Sequence, residues 1–155
     1  MLTATSAPRK INPRSAADYF EVLTKAVFQG GISWRVIESK WPGFREAFAG
    51  FDPEEIARFN DKDIDRLASD TRIVRNRRKI EATVDNATEL LEIEKEFGSV
   101  RRYLSSHGDF EDVVADLRKR FRFLGDTGAY YFLYVVGEPV PAHGEWAKLR
   151  SGAIT

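Results

Sequence analysis

The chain has 155 residues, 43% hydrophobic and 31% charged, enough for one domain that buries roughly two-thirds of its unfolded surface. Its 24 basic and 24 acidic residues cancel, which excludes a generally basic nucleic-acid-coating protein but leaves room for a local basic face. There is no cysteine, and His107 and His143 are the only histidines, so disulfides are excluded and no structural zinc is expected.

The opening stretch MLTATSAPRKINPRS has no apolar core of signal-peptide length, and nowhere do about eighteen apolar residues run together. A cytoplasmic, reduced, soluble protein without a membrane partner is expected. Residues 1–14 read as a flexible lead-in, residues 15–143 as the helical domain and residues 144–155 as a tail. Ser15 is placed to cap a first helix with Phe20, Leu23 and Val27 on one face, and Gly30 with Gly31 ends it. Ser33 is placed to cap a short second helix with Val36 and Ile37 inside, and WPGF is expected to break it.

FDPEEIARF carries strong start signals. Asp52 stands at the cap, Pro53 at the first helical position, and Glu54 and Glu55 near the positive end of the dipole. A short helix with Ile64 and Leu67 inward follows. The longest periodic segment runs from Asn76 to Phe97, with Ile80, Val84, Ala87, Leu91 and Ile93 recurring and Gly98 as the stop. SVRRYL gives one more turn, FEDVVADLRKRF a helix with Val113, Val114 and Leu117 inward, and AYYFLYVVG a buried central helix. The fold class is all-α, with about seven or eight short helices.

Residues 117–136 read as helix, tight turn, helix. Gly125 frees the backbone, and the amides at Asp126, Thr127 and Gly128 open a helix N-terminus suited to phosphate. Arg118, Lys119, Arg120 and Arg122 precede it, enough to grip a duplex backbone without reading sequence. The alternative is an ordinary helical hairpin with a solvated basic face, and Asp126, which repels anions, instead serves as a cap. RIVRNRRK, with Arg72, Arg75, Arg77, Arg78 and Lys79, is a second basic run with the same two readings.

In this order, FQGGISW, FREAFAGFDPEEIARF, RIVRNRRKIEATVDNATELL and RFRFLGDTGAYYFLYVVG resemble the DNA-3-methyladenine glycosylase I family, within the helix-hairpin-helix superfamily of DNA glycosylases. The similarity spans residues 15–143. It implies an all-helical enzyme that grips duplex DNA with the hairpin at Phe123 to Ala129, flips an alkylated base and hydrolyses its N-glycosidic bond. By resemblance, Trp34 is the aromatic that stacks on the flipped base, Ile32 the wedge that fills the gap, and Gln29, Ser33 and Ala26 line the base site. Phe123, Gly125, Asp126, Thr127, Gly128, Lys119 and Arg122 form the DNA-binding end. The partner implied is duplex DNA with an alkylated base; a monomer is expected, without cofactor and, because this chain lacks cysteine, without metal.

The chain departs from this pattern at defined places. The family's purine-contacting glutamate corresponds to Ala26, APRKINPRS replaces the N-terminal Tyr-His-Asp and Glu-Trp-Gly cluster, and the zinc-binding cysteines are absent. Glu21, about a turn before Ala26, and Glu38, a turn after Trp34, are the carboxylates placed to substitute, and His143 is a further candidate base. The other reading is a non-catalytic DNA-binding or lesion-sensing module that keeps hairpin and wedge, and the third a helical protein-interaction domain.

Overall fold

Eight α-helices, with no strand among the described residues, make up the computed structural model, which describes residues 8–142. Helix α1 (Ala16–Gln29) starts at Ser15, whose hydroxyl accepts from the Asp18 amide at 3.4 Å while the Asp18 carboxylate accepts from the Arg14 amide at 2.8 Å. The exchange gives acceptors to amides that the first turn leaves bare. Phe20, Leu23, Val27 and Phe28 form its buried face.

Helix α2 (Trp34–Ala47) overturns one expectation, because WPGF lies inside it with Pro42 in its body. Burial outweighs the one backbone bond that proline removes. Trp41, Phe44 and Ala47 are all buried, and Trp41 stacks on Phe44 at 4.7 Å and on Phe51 at 5.2 Å. Gly43 serves packing rather than breaking: a Cβ there would stand 2.6 Å from the Arg72 carbonyl oxygen, so only glycine lets the two segments touch. Ser33 holds the cap position but makes no side-chain capping bond, and Val36, expected inside, is exposed while Ile37 is fully buried. The turn Ala49–Phe51, with all three residues at positive φ, carries Phe51 back into the core.

Asp52 accepts from the Glu54 amide at 3.0 Å and opens α3 (Pro53–Ala57). A capping box between Asn60 and Asp63 opens α4 (Asp61–Ala68), which turns Ile64 and Leu67 inward. The 21-residue α5 (Arg77–Phe97) is the spine, capped by Asn76 and ended by Gly98, whose φ of 90° and N–H donating to the Glu94 carbonyl close the last turn. Its buried stripe takes Leu90 where Leu91 was expected, and Leu91 and Val84 are half-buried. Helices α6 (Val100–Ser105), α7 (Phe110–Arg120) and α8 (Asp126–Val135) complete the chain order.

α5 packs against α1, α3, α4 and α6, and α1 in turn packs against α8. Residues 8–14 have no regular structure but run beside α8: the Ile11 amide donates to the Val135 carbonyl at 2.7 Å, and Lys10 stands 4.8 Å above the Tyr134 ring. His143 and the tail 144–155 lie outside the described residues, as do residues 1–7. No helix among the described residues is long and apolar enough to cross a membrane.

Candidate functional site

The packing of Trp41 fixes the rotation of α2 and so decides what its next face presents. Trp34, Glu38, Trp41 and Arg45 follow one another at helical spacing along one wall of a cavity of about 620 Å³. Glu21, Val22 and Lys25 of α1 form a second wall, Tyr131 and Val135 of α8 a third, and Pro8, Arg9 and Ile11 lie at its edge. Trp34 is 44% exposed, whereas Trp41 is 3% exposed. One indole therefore builds the wall and the other offers its face to the opening.

Both candidate carboxylates line this cavity, and both have cationic partners. Lys25 Nζ donates to the two oxygens of Glu38 at 2.8 and 3.0 Å and stands 5.4 Å from the Trp41 ring centre. Glu21 Oε2 accepts from Trp41 Nε1 at 2.8 Å and from Arg45 Nε at 2.7 Å. Burial pushes the Tyr131 hydroxyl up to about 12, with the charges of Glu38 and Glu21 adding to it and Gln29 opposing it. Tyr131 is thus a neutral hydroxyl at any physiological pH. Gln29 lies close enough to influence that hydroxyl, and its Nε2 is buried there.

Ala26 and Gln29 face a different space. With Gly30, Gly31, Phe123 and residues 125–128 they line a hollow of about 380 Å³ between the end of α1 and the turn before α8. A Cβ built on Gly128 would lie 3.6 Å from the Ala26 Cβ and 3.0 Å from Leu124 Cδ1, so the glycine permits a close α1–α8 contact. Ala26 is 4% exposed and offers no polar atom. The turn itself is held by buried Asn86 of α5: the Arg122 amide donates to its Oδ1 at 2.8 Å and its Nδ2 donates to the Arg122 carbonyl at 3.2 Å. Phe123 adopts a φ of 60°, costly for a residue with a Cβ, and remains 44% exposed with Arg78 5.7 Å above its ring.

The cap of α8 is Gly125, not Asp126, which is the first helical residue and is tied to Arg118 at 2.8 Å. This pairing offsets the repulsion a carboxylate would bring to an anion at that end. Lys119 is exposed on α7 and makes no ion pair among the described residues, whereas Arg122 pairs with Asp85. Ser33 is exposed and lines neither space, and Ile32 is half-buried against the core. In the second basic run, Lys79 is buried rather than solvated; its Nζ donates to the carbonyls of Gly30 at 2.6 Å and Phe28 at 3.3 Å, capping α1, and burial lowers its pKa. Arg72 and Arg77 are paired with Asp70 and Asp65.

Sequence reasoning missed Lys25, Tyr131 and Asn86. Tyr131 is hidden in an apolar run, and nothing short of the packing reveals Lys25 as the partner of Glu38. Asn86 alone carried a local signal, a short amide on the buried face of a long helix, where a polar group needs partners.

A family model for methyladenine glycosylase matches residues 12–120. A DNA-3-methyladenine glycosylase of Haemophilus influenzae is 31% identical over 139 residues, covering 76% of this chain and 75% of that protein. DNA-3-methyladenine glycosylase 1 of Escherichia coli is 28% identical over 139 residues, covering 76% and 74%. Among solved structures, 3-methyladenine DNA glycosylase I from Staphylococcus aureus superposes with a TM-score of 0.73 at 29% identity, covering 83% of this chain and 80% of that one. A variant of the same type of enzyme, in complex with 3-methyladenine, superposes with a TM-score of 0.73 at 29% identity and covers 83% and 81%. The chain belongs to the methyladenine glycosylase family.

Proposed function

We propose, from this family membership, that the chain is a base-excision repair enzyme of the DNA-3-methyladenine glycosylase type, acting on an alkylated purine in duplex DNA. The observation that carries the reading is the indole of Trp34, open on the wall of a cavity that also presents Glu21 and Glu38. Extruding a base costs a few kcal/mol. Ile32, beside the glycine turn, offsets part of it by filling the vacated stack. Gly31, at a φ of 76°, gives that turn a conformation side chains resist. A base alkylated at ring nitrogen is cationic, and an indole face attracts it by about 0.5–2 kcal/mol.

In the reaction, the bond between the sugar C1′ and the base nitrogen breaks, and its electron pair leaves with the base, cancelling the base's positive charge. Water adds to C1′ and gives up a proton. Glu38 and Glu21 are the groups proposed to stabilise the developing positive charge at the sugar and to take up that proton. Ala26 leaves the α1 position without a carboxylate, and the two carboxylates proposed for the task stand on the other cavity, beside Trp34. Gln29, at the end of α1 on the hairpin side of Tyr131, and Ser33, exposed at the start of α2, are proposed to flank the flipped nucleotide rather than to line the Trp34 cavity.

The DNA-gripping end is the turn from Phe123 to Gly128. Gly125 caps α8 without a side chain, so the first amides of the helix approach a phosphate at the positive end of its dipole. Asp126 is neutralised by Arg118, Thr127 and Gly128 form the first turn, and Lys119 and Arg122 flank it. On this reading the protein works in the cytoplasm, as a monomer and without metal.

The second reading, a lesion sensor without catalysis, is favoured by the alanine at 26 and by the cations already on both cavity carboxylates. Release of free base from methylated duplex DNA separates the two. The enzyme releases base, and Trp34→Ala reduces release; a sensor binds the methylated duplex in preference to the unmodified one but releases nothing.

A further inference from the structure

Glu38 and the open indole of Trp34 supply what a planar cation requires, a carboxylate and an aromatic face at one opening, with buried Trp41 as the wall behind them. One cation is already there. The Lys25 ammonium is bonded to both oxygens of Glu38, stands 5.4 Å from the Trp41 ring centre, and its side chain is 16% exposed. Both Glu38 oxygens thus carry the Lys25 ammonium, and a second cation brought to them meets its like charge unless Lys25 moves. Arg45 holds Glu21 in the same manner, and Arg9 adds a third positive charge at the edge. The lining carries three cations against two carboxylates, a balance that disfavours a positively charged guest.

We propose that Lys25 is the specificity-determining residue of this cavity: its ammonium occupies the cation position between Glu38 and Trp41, so the site accepts neutral planar bases at least as well as cationic ones. A cationic base must either displace Lys25 from Glu38 or lie beside it. A neutral base stacks on Trp34 without that conflict and meets Lys25 as a donor to its ring nitrogens or carbonyl. The inference rests on the reading of this cavity as the base pocket, and it widens the substrate class from charged alkylpurines to uncharged damaged bases.

The test uses two variants and two probes. Lys25→Met removes the charge and keeps the apolar stem; Lys25→Arg keeps the charge. Calorimetric titration compares 1-methylquinolinium, a permanent cation, with 4-methylquinoline, its uncharged counterpart at pH 8. The wild-type protein binds the uncharged ring at least as tightly. Lys25→Met raises the cation-to-neutral affinity ratio about tenfold, the scale of one like-charge contact under partial screening, and Lys25→Arg leaves the ratio where it was. In duplex DNA the same substitution raises release of 3-methyladenine relative to hypoxanthine. An unchanged ratio in Lys25→Met, or an equal rise in Lys25→Arg, overturns the proposal, as does failure of all three proteins to bind either probe. If no base is released but the probe ratio moves as stated, the glycosylase reading fails and the role of Lys25 stands.

Discussion

Two regions of the molecule gather the same ingredients and use them in opposite ways. Where α5, α6 and α7 meet, Asp116 Oδ2 accepts from the Tyr103 hydroxyl at 2.6 Å, with His107 Nε2 at 3.1 Å and Arg120 Nε at 3.3 Å, and Arg120 continues to Glu89 at 2.9 Å. Tyr103 is 1% exposed, and Arg120 lies over its ring at 5.3 Å. In the cavity between α1, α2 and α8, a carboxylate, an ammonium and indoles also meet, but they surround open space, and Trp34 keeps a free face. The first cluster is closed upon itself and holds three helices together. The second is unfinished, and an unfinished aromatic surface beside charged groups marks a place for a ligand.

Substitutions in the two regions should separate along that line. Trp34→Ala removes a stacking surface worth about 1–3 kcal/mol, so base release from methylated duplex is expected to fall on the order of tenfold to hundredfold. Its melting temperature should stay near that of the wild type, since the ring is largely outside the core. Equal losses of activity and stability would erase the distinction between the regions.

Asp116→Asn should do the reverse, lowering unfolding free energy by about 2 kcal/mol in a denaturant titration while base release per folded molecule is unchanged. The same residue predicts a pH effect. Burial works to raise the Asp116 carboxyl, but the bonds from Tyr103 and His107 and the charge of Arg120 outweigh it and hold it below the usual carboxylate range. Its contribution is therefore present above the unfolded value near 4 and is lost as pH falls through the lower folded value. Stability measured from pH 5 downward should decline less steeply in Asp116→Asn; an identical slope would place the titration elsewhere. The smallest effect belongs to the hairpin end, where Lys119→Ala should reduce the slope of log affinity against log salt by about 1 for any duplex sequence.

The sequence made the helices legible wherever a cap or stop acts locally. Ser15, Asp52 and Gly98 each do in the structure what their side chains, or lack of one, dictate. It misled at WPGF, because the decision there belongs to long-range packing: Trp41 stacks into the core and Gly43 admits the backbone of Arg72, and neither fact is written in neighbouring residues. The open indole at 34 was reachable through resemblance, since a tryptophan after a glycine turn packs into a core as readily as it lines a pocket. That Trp34 shares a cavity with Glu21 and Glu38, while Ala26 and Gln29 face the hairpin hollow instead, depends on how α1 is rotated against α2 and α8. Lys25 lies two helices' width of inference away from its partner, since a lysine thirteen residues before a glutamate carries no local signal.

The central claim is that a flipped base rests on Trp34. Tryptophan labelled with fluorine gives one NMR resonance for each of Trp34, Trp41 and Trp146, assignable by single substitutions. Adding 3-methyladenine to the protein bound to a duplex with an abasic-site analogue should displace the Trp34 resonance strongly and the buried Trp41 resonance less. A Trp34 resonance that stays in place under saturating base, or one that moves no more than Trp41, would contradict the account.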